Sequence, residues 1–357
     1  MMLNIFTKKI NTSQQDLSSG LRRLAMRRLK ADRIAMASLF IVLSFFLMLV
    51  LSMTGLIAKG WNNEVAVSYA PPTFIDIDQK VIDRSTVIEQ SIINQSSKQI
   101  DYYGIQDPLA EDMRAIDQQL GGHLLDQQSE LKTTLPFGAD KWGRDIVLKT
   151  IKGAETSILV GLISALIAVV IGTFLGAIAG YFGGWIDDLL NWFYNVFTSI
   201  PYLLLVLAIA AVLQQKGILS IVLILGLTGW TGVFRLIRAE YMKHTSREYI
   251  LAAKAIGVSH MRRMFVHIFP NVSHIALVQM SILVVSFIKS EVILSFLGFG
   301  VPVGVVSWGS MLNEAQSELI LGKWWQLVAA SVAMAVLVTA FSMFTDALRD
   351  ALDPKLK

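Results

Sequence analysis

Uninterrupted apolar runs organise this chain, in place of the one-sided stripes of soluble helices. Six recur, at roughly 34–58, 155–180, 189–213, 217–238, 272–295 and 326–347. Each is close to the ~20 apolar residues that carry a helix across ~30 Å of hydrocarbon, whereas a helix on a soluble core needs only one apolar stripe. The pattern predicts an all-α polytopic membrane protein with six transmembrane helices and a long external loop after the first. That external segment, 59–153, opens with Trp61 and Pro71-Pro72, alternates polar and β-branched residues across 80–100, and carries Gln, Asp and Ser toward Gln127–Glu130. A small irregular or partly helical cap is expected there. Its single histidine, His123, leaves it without a nucleophile–base pattern. The expected divisions are an N-terminal segment 1–33, a first helix 34–58, the external segment 59–153, a five-helix membrane domain 154–348 containing a loop 239–271, and a tail 349–357. No internal repeat stands out.

Composition agrees: 54% of residues are apolar and 16% charged, against roughly 25% charged in soluble domains. The net charge of +4 could suit nucleic acid, but its placement excludes that partner. Basic residues gather before the first run (Arg22, Arg23, Arg27, Arg28, Lys30, Arg33) and in the 239–271 loop (Lys243, Arg247, Lys254, Arg262, Arg263). Lys and Arg mark the cytoplasmic side of membrane proteins. Counting crossings from a cytoplasmic N-terminus puts 59–153 outside, and 239–271 and the C-terminus inside. The first run exceeds a signal peptide's ~7–15 apolar residues and is read as a retained anchor. With no cysteine, disulfides, thiol catalysis and Cys-based zinc sites are excluded.

Within the runs, Gly172, Gly176 and Gly180 form a ladder on one helix face, where another backbone can approach closely. Helix packing is its first reading, with a subunit interface or translocation path as the functional one. Pro201 permits a kink in the third span. Glu291, late in the fifth span, is expected to face the subunit interface or the translocation cavity, because charge inside a membrane is costly. Lys289 is expected either there or reaching to the external interface. Arg235 and Arg238 are expected to anchor an interface, and Asp187 and Asp188 to be solvated. His260, His267 and His274 recur every seven residues, but a break near Pro270 is expected to separate them, so no metal site is assigned.

The loop reading Glu248-Tyr249-Ile250-Leu251-Ala252-Ala253-Lys254-Ala255-Ile256-Gly257 and on to His267-Ile268-Phe269-Pro270 is the most specific feature. Ser246 can cap a helix over Arg247–Ile256. Ala253 and Gly257, four apart, are expected to leave a smooth patch for a partner, and Gly257 to end the helix. The segment resembles the EAA loop of ABC importer permeases. Ala252, Ala253, Gly257 and Pro270 fall on matching positions, while Leu251 replaces the glutamate, His267 the isoleucine and Phe269 the leucine. Further segments are similar to the dipeptide/oligopeptide/nickel permease family, in its C-type subunit. They are Phe137–Asp145, Gly180–Asp187, Leu294–Gly300 with Ser307-Trp308-Gly309, and Ala347–Pro354. Glu155 stands where that family usually has Arg, and residues 62–133 are much longer than usual.

The resemblance implies a non-catalytic permease in a bacterial inner membrane, forming half of a translocation pathway for peptides or similar small solutes. It implies a cytoplasmic coupling helix with Glu248, Tyr249, Ala252, Ala253, Gly257, Arg262, Arg263 and Pro270 receiving an ATPase. It also implies external surface motifs at Asp140, Gly143, Arg144, Asp145, Trp308 and Gly309. The implied partners are a homologous second permease, two ATP-binding subunits, a periplasmic or lipid-anchored solute-binding protein, and membrane lipid. No G-x-x-x-x-G-K-[ST] loop occurs, and the only Gly-Lys pair, Gly322-Lys323, is followed by Trp324. No cofactor is expected on this chain, with ATP and Mg used by the partner subunits. No H-E-x-x-H or G-x-S-x-G occurs either. A gradient-driven transporter or channel, a membrane-anchored enzyme, and a nickel- or metal-chelate permease of the same family stay open at this point.

Overall fold

The computed structural model describes residues 29, 32–75, 131–215, 217–302 and 304–352. The basic residues before Asp32, the alternating 80–100 stretch, His123, Gln127–Glu130 and Asp353-Pro354 lie outside the described residues. Two compact units are present, Gly60–Val147 and Met1–Lys59 with Leu148–Lys357.

The larger unit is helical. Its elements are α1 (Arg33–Met53), α2 (Ile146–Phe182), α3 (Gly184–Thr198), α4 (Tyr202–Leu213), α5 (Ile218–Thr228), α6 (Thr231–Thr245), α7 (Glu248–Ala255), α8 (His260–Arg262), a π-helical turn (Arg263–Ile268), α9 (Phe269–Phe296), α10 (Trp308–Ile320) and α11 (Trp325–Leu352). Among the described residues, five helical stretches are long and apolar enough to cross a membrane, and α3 with α4 make a sixth only as a pair bent by 81°. The third span is thus broken, where a continuous kinked helix was expected. Pro201 has no N–H to give and forces Ile200 out of helical geometry, so α3 ends at Thr198 and α4 starts after the proline.

Two spans outrun their apolar cores. Helix α2 begins at Ile146, nine residues ahead of expectation, because the polar residues of its first turns find partners. Lys149 donates to Glu314 at 2.6 Å, and Glu155 accepts from Lys152 at 2.8 Å and from the Ser52 hydroxyl at 2.5 Å. The fifth span begins at His260 and runs 37 residues to Phe296 without the break expected near Pro270. Pro270 sits in the first turn of α9, right after the π-helical turn, where a missing N–H is tolerated. The three histidines therefore share one helical stretch, yet no His, Asp or Glu cluster suited to a metal exists among the described residues.

Helix α9 is central, packing on α6, α10 and α11, while α1 lies along α11. It also meets α2 closely. A Cβ on Gly161 would lie 3.1 Å from the Val284 carbonyl oxygen and 2.5 Å from Ile288. Close approach of backbones supplies the van der Waals contact that holds helices together once lipid has removed the hydrophobic drive.

The smaller unit, as far as it is described, has isolated bridges and no strand. Ala66 pairs with Lys132, Pro72 with Leu135 and Ala139 with Asp145 around a small core of Ala66, Ala70, Leu135 and Ala139. The Asp140–Asp145 motif, expected at a surface, is a folded turn. Asp140 is fully buried, and its carboxylate accepts from the Trp142 and Arg144 amides at 2.8 and 3.0 Å. Gly143 takes a left-handed φ of 74° against the Ala66 carbonyl, where any side chain would overlap it. The Arg144 guanidinium lies over the rings of Trp61 and Trp142. Asp145 accepts from the Val147 amide at 2.7 Å and so caps the start of α2.

Candidate functional site

The short helix α7 lies between the end of α6 and the α8–π–α9 stretch. Its start differs from expectation. Arg247 is the N-cap without a side-chain bond, while Ser246 closes α6 instead, its hydroxyl donating to the Lys243 carbonyl at 3.0 Å. Its end is a Schellman cap. The Gly257 amide donates to Lys254 and the Val258 amide to Ala253, with Gly257 at φ +79°, a conformation that favours glycine.

Burial divides α7 into two faces. Ile250 and Ala253 point inward, Ile250 joining an apolar cluster with Val233, Ile237, Tyr241, Met264 and Ile268. The buried Tyr241 hydroxyl donates to the Met264 carbonyl at 3.3 Å, tying α6 to the π-helical turn. Ala253 and Gly257 therefore do not make one outward patch: the alanine is covered and the glycine lies past the helix end. The outward residues are Leu251, Ala252, Lys254, Ala255 and Ile256, with Ile256 81% exposed and Met261 beside them in sequence 62% exposed. Glu248, Tyr249 and Arg262 are also exposed. Tyr249 sits 2.8 Å from His244 Nδ1. Burial pushes the Tyr249 phenol above its usual range, opposed by a hydrogen bond with Asn271 and by nearby Arg247. It therefore keeps its proton at neutral pH and braces α7 against α6 and α9.

Arg263, grouped with the outward basic residues from the sequence, is buried, with its guanidinium over the Tyr181 ring. The Tyr181 hydroxyl lies 3.1 Å from His260 Nδ1, and Phe182 stacks on the same imidazole. The end of α2 is thereby fixed to α8. The glycine ladder fixes it to α6 as well. Cβ atoms at Gly172 and Gly176 would lie 2.7 and 2.8 Å from the Trp230 and Phe234 carbonyls, and one at Gly180 would overlap Arg238. These glycines face α6 of the same chain, so packing accounts for them and they present no surface to a second subunit. Asp187 is not solvated either, since it takes the Arg238 guanidinium on both oxygens at 2.5 and 2.6 Å.

A second group assembles along α2 from this one. Glu291 is fully buried, accepting from Ser157 at 2.6 Å and Ser295 at 2.7 Å. Its carboxyl group is closed inside the chain and faces neither a cavity nor a subunit interface, because the Ser157 hydroxyl of α2 and the Ser295 hydroxyl one turn on along α9 satisfy it. Lys289 is exposed. Trp308 and Gly309, expected on an external surface, are buried. The Trp308 ring donates to the Thr150 carbonyl at 3.1 Å, and a Cβ on Gly309 would lie 2.6 Å from the Val292 carbonyl. They start α10, an amphipathic helix with a Ser307–Ser310 capping box that the apolar-run reading passed over. The S-x-x-S spacing was its available signal. The Asp187–Arg238 pair, 51 residues apart, had none. Pro201 stands by itself at the α3–α4 break.

Residues 172–357 match the family described as binding-protein-dependent transport system inner membrane component. The dipeptide transport system permease of Bacillus subtilis is 36% identical over 251 residues, covering 69% of this chain and 78% of that protein. The oligopeptide transport system permease of the same organism is 35% identical over 221 residues, covering 62% and 72%. A chain of an inward-facing methionine ABC transporter aligns over 58% of this chain and 98% of its own length, at 15% identity and a TM-score of 0.47. The chain belongs to the inner membrane component family of binding-protein-dependent transport systems, and is a multi-pass permease subunit of an ABC importer.

Proposed function

We propose that this permease imports peptides and takes up the motion of separate ATP-binding subunits through α7. The observation that carries the coupling role is the division of α7, anchored through Ile250 and Ala253 while Leu251 and Ile256 are presented outward. A lone apolar side chain exposed on a protein needs no explanation, but exposed apolar residues on a short helix with a defined C-terminal cap suit a groove on a partner. The charge pattern supports α7 and both termini on the cytoplasmic side of a bacterial inner membrane. ATP and Mg belong to the partner subunits, since no phosphate-cradling loop occurs in this sequence. A homologous second permease completes the pathway, and an external solute-binding protein delivers cargo. The peptide assignment rests on the cargo named for the relatives at 35–36% identity.

The test is reconstitution of the permease pair, ATPases and binding protein in liposomes, with uptake of labelled dipeptides and oligopeptides. ATP-dependent, vanadate-sensitive uptake is expected. Uptake that ignores vanadate and collapses with an ionophore would establish a gradient-driven transporter instead. Uptake of nickel chelates without peptides would move the cargo to the metal branch of the family.

A further inference from the structure

Helix α2 is attached at both ends to different working parts of the molecule. At Gly172–Phe182 it is packed on α6 and bound to α8 through Tyr181 and His260, next to α7. At Lys149–Ser157 it is bound to α10 and to the loop that precedes it. Between Ser157 and Tyr181 the helix is unbroken and free of proline, a reach of about 36 Å at 1.5 Å per residue.

The second attachment centres on Glu291. Its Oε2 accepts from the Ser157 hydroxyl on α2 and its Oε1 from the Ser295 hydroxyl on α9. Each hydroxyl, with its proton so committed, accepts a backbone amide from the following segment: Trp308 N–H to Ser157 and Val301 N–H to Ser295, both at 3.3 Å. One carboxyl group thus sets the direction of four hydrogen bonds that join α2, α9, the 297–307 loop and the start of α10. Lys149, 1% exposed, adds a 2.6 Å bond to Glu314 farther along α10. Among apolar helices such bonds have no water to replace them, so the linked elements keep their relative positions.

We propose that Glu291 is a positioning residue that makes the 297–307 loop and α10 ride on α2. Displacement of α7 then reaches the other end of the bundle through α2 in step with the continuous His260–Phe296 stretch, to which Glu291 ties it. The proposal rests on the importer reading above.

This chain has no cysteine, so with cysteine-free partner subunits spin labels can be placed at Ser317 on α10 and Leu166 on α2, both exposed, without background. The distance between them is measured in the assembled transporter, nucleotide-free and vanadate-trapped. The same distance in both states is expected for the parent chain. In Glu291→Leu it is expected to differ between states, with uptake down about tenfold while ATP hydrolysis stays within about twofold, a loss in the usual range of coupling effects. Glu291→Gln, which reverses one bond direction, is expected to fall between. A state-dependent distance in the parent, or normal uptake by Glu291→Leu, overturns the proposal. If Glu291→Leu does not assemble, the parent label pair decides alone. A complex that hydrolyses no ATP overturns the importer reading itself, and the inference with it.

Discussion

The two ends of α2 are held by opposite means. Near α6 and α7 the contact is mainly shape: three glycines against a facing backbone and an apolar cluster around Ile237 and Tyr241, with one polar contact from Tyr181 to His260 at the exposed end. Near α10 it is polar: a buried lysine, a buried glutamate and three serines exchanging hydrogen bonds. The first kind of contact is non-directional and can slide by a fraction of an ångström at small cost. The second is directional and expensive to leave half made. An end that must receive force from another protein benefits from a surface that can adjust, and an end that must follow benefits from one that cannot.

The contrast predicts an order of sensitivities. Lys149→Met should cost most, about 3–5 kcal/mol, by leaving Glu314 and Gln326 without their shared cation. Denaturant unfolding in detergent measures it, and a loss smaller than that of the glycine variants would reverse the comparison. Gly176→Leu should follow at about 1–3 kcal/mol, because the Phe234 carbonyl already stands where the Cβ must go. Asp187→Asn keeps the shape and removes the charge facing Arg238; the pair is partly exposed, so about 1 kcal/mol is expected by the same measurement. Ile256→Asp should leave stability within about 0.5 kcal/mol, since the side chain touches little of its own chain. It should nevertheless strip the ATPase during affinity purification. Retention of the ATPase would remove α7 from the coupling role.

How much of this could be read without coordinates differs from one element to the next. The apolar runs announced the membrane spans, and Gly257 announced the end of α7, because hydrophobic length and a left-handed turn are local requirements. Pro201 marked the site of a break, though not its 81° angle. The Glu248–Pro270 stretch was legible as a helix–turn–helix, with Glu248, Tyr249, Ala252 and Arg262 outward as expected, but Ala253 and Arg263 are buried. Periodicity cannot say which face of an eight-residue helix a neighbour will cover, and α6 and α9 chose Ile250 and Ala253.

What the sequence determined by itself was therefore a class and a few local stops: a multi-pass helical chain interrupted at Pro201 and turned at Gly257. Only the tertiary structure decided the partners of its polar residues. Asp187, Glu291 and Trp308 were each expected toward solvent, a cavity or a partner, and each is hydrogen-bonded inside the chain, while Arg263, expected at an outward surface, is buried over the Tyr181 ring. The reason is physical. A charge among apolar helices must find a hydrogen-bonding partner, and that partner can stand 51 or 134 residues away, a distance over which no local pattern carries information.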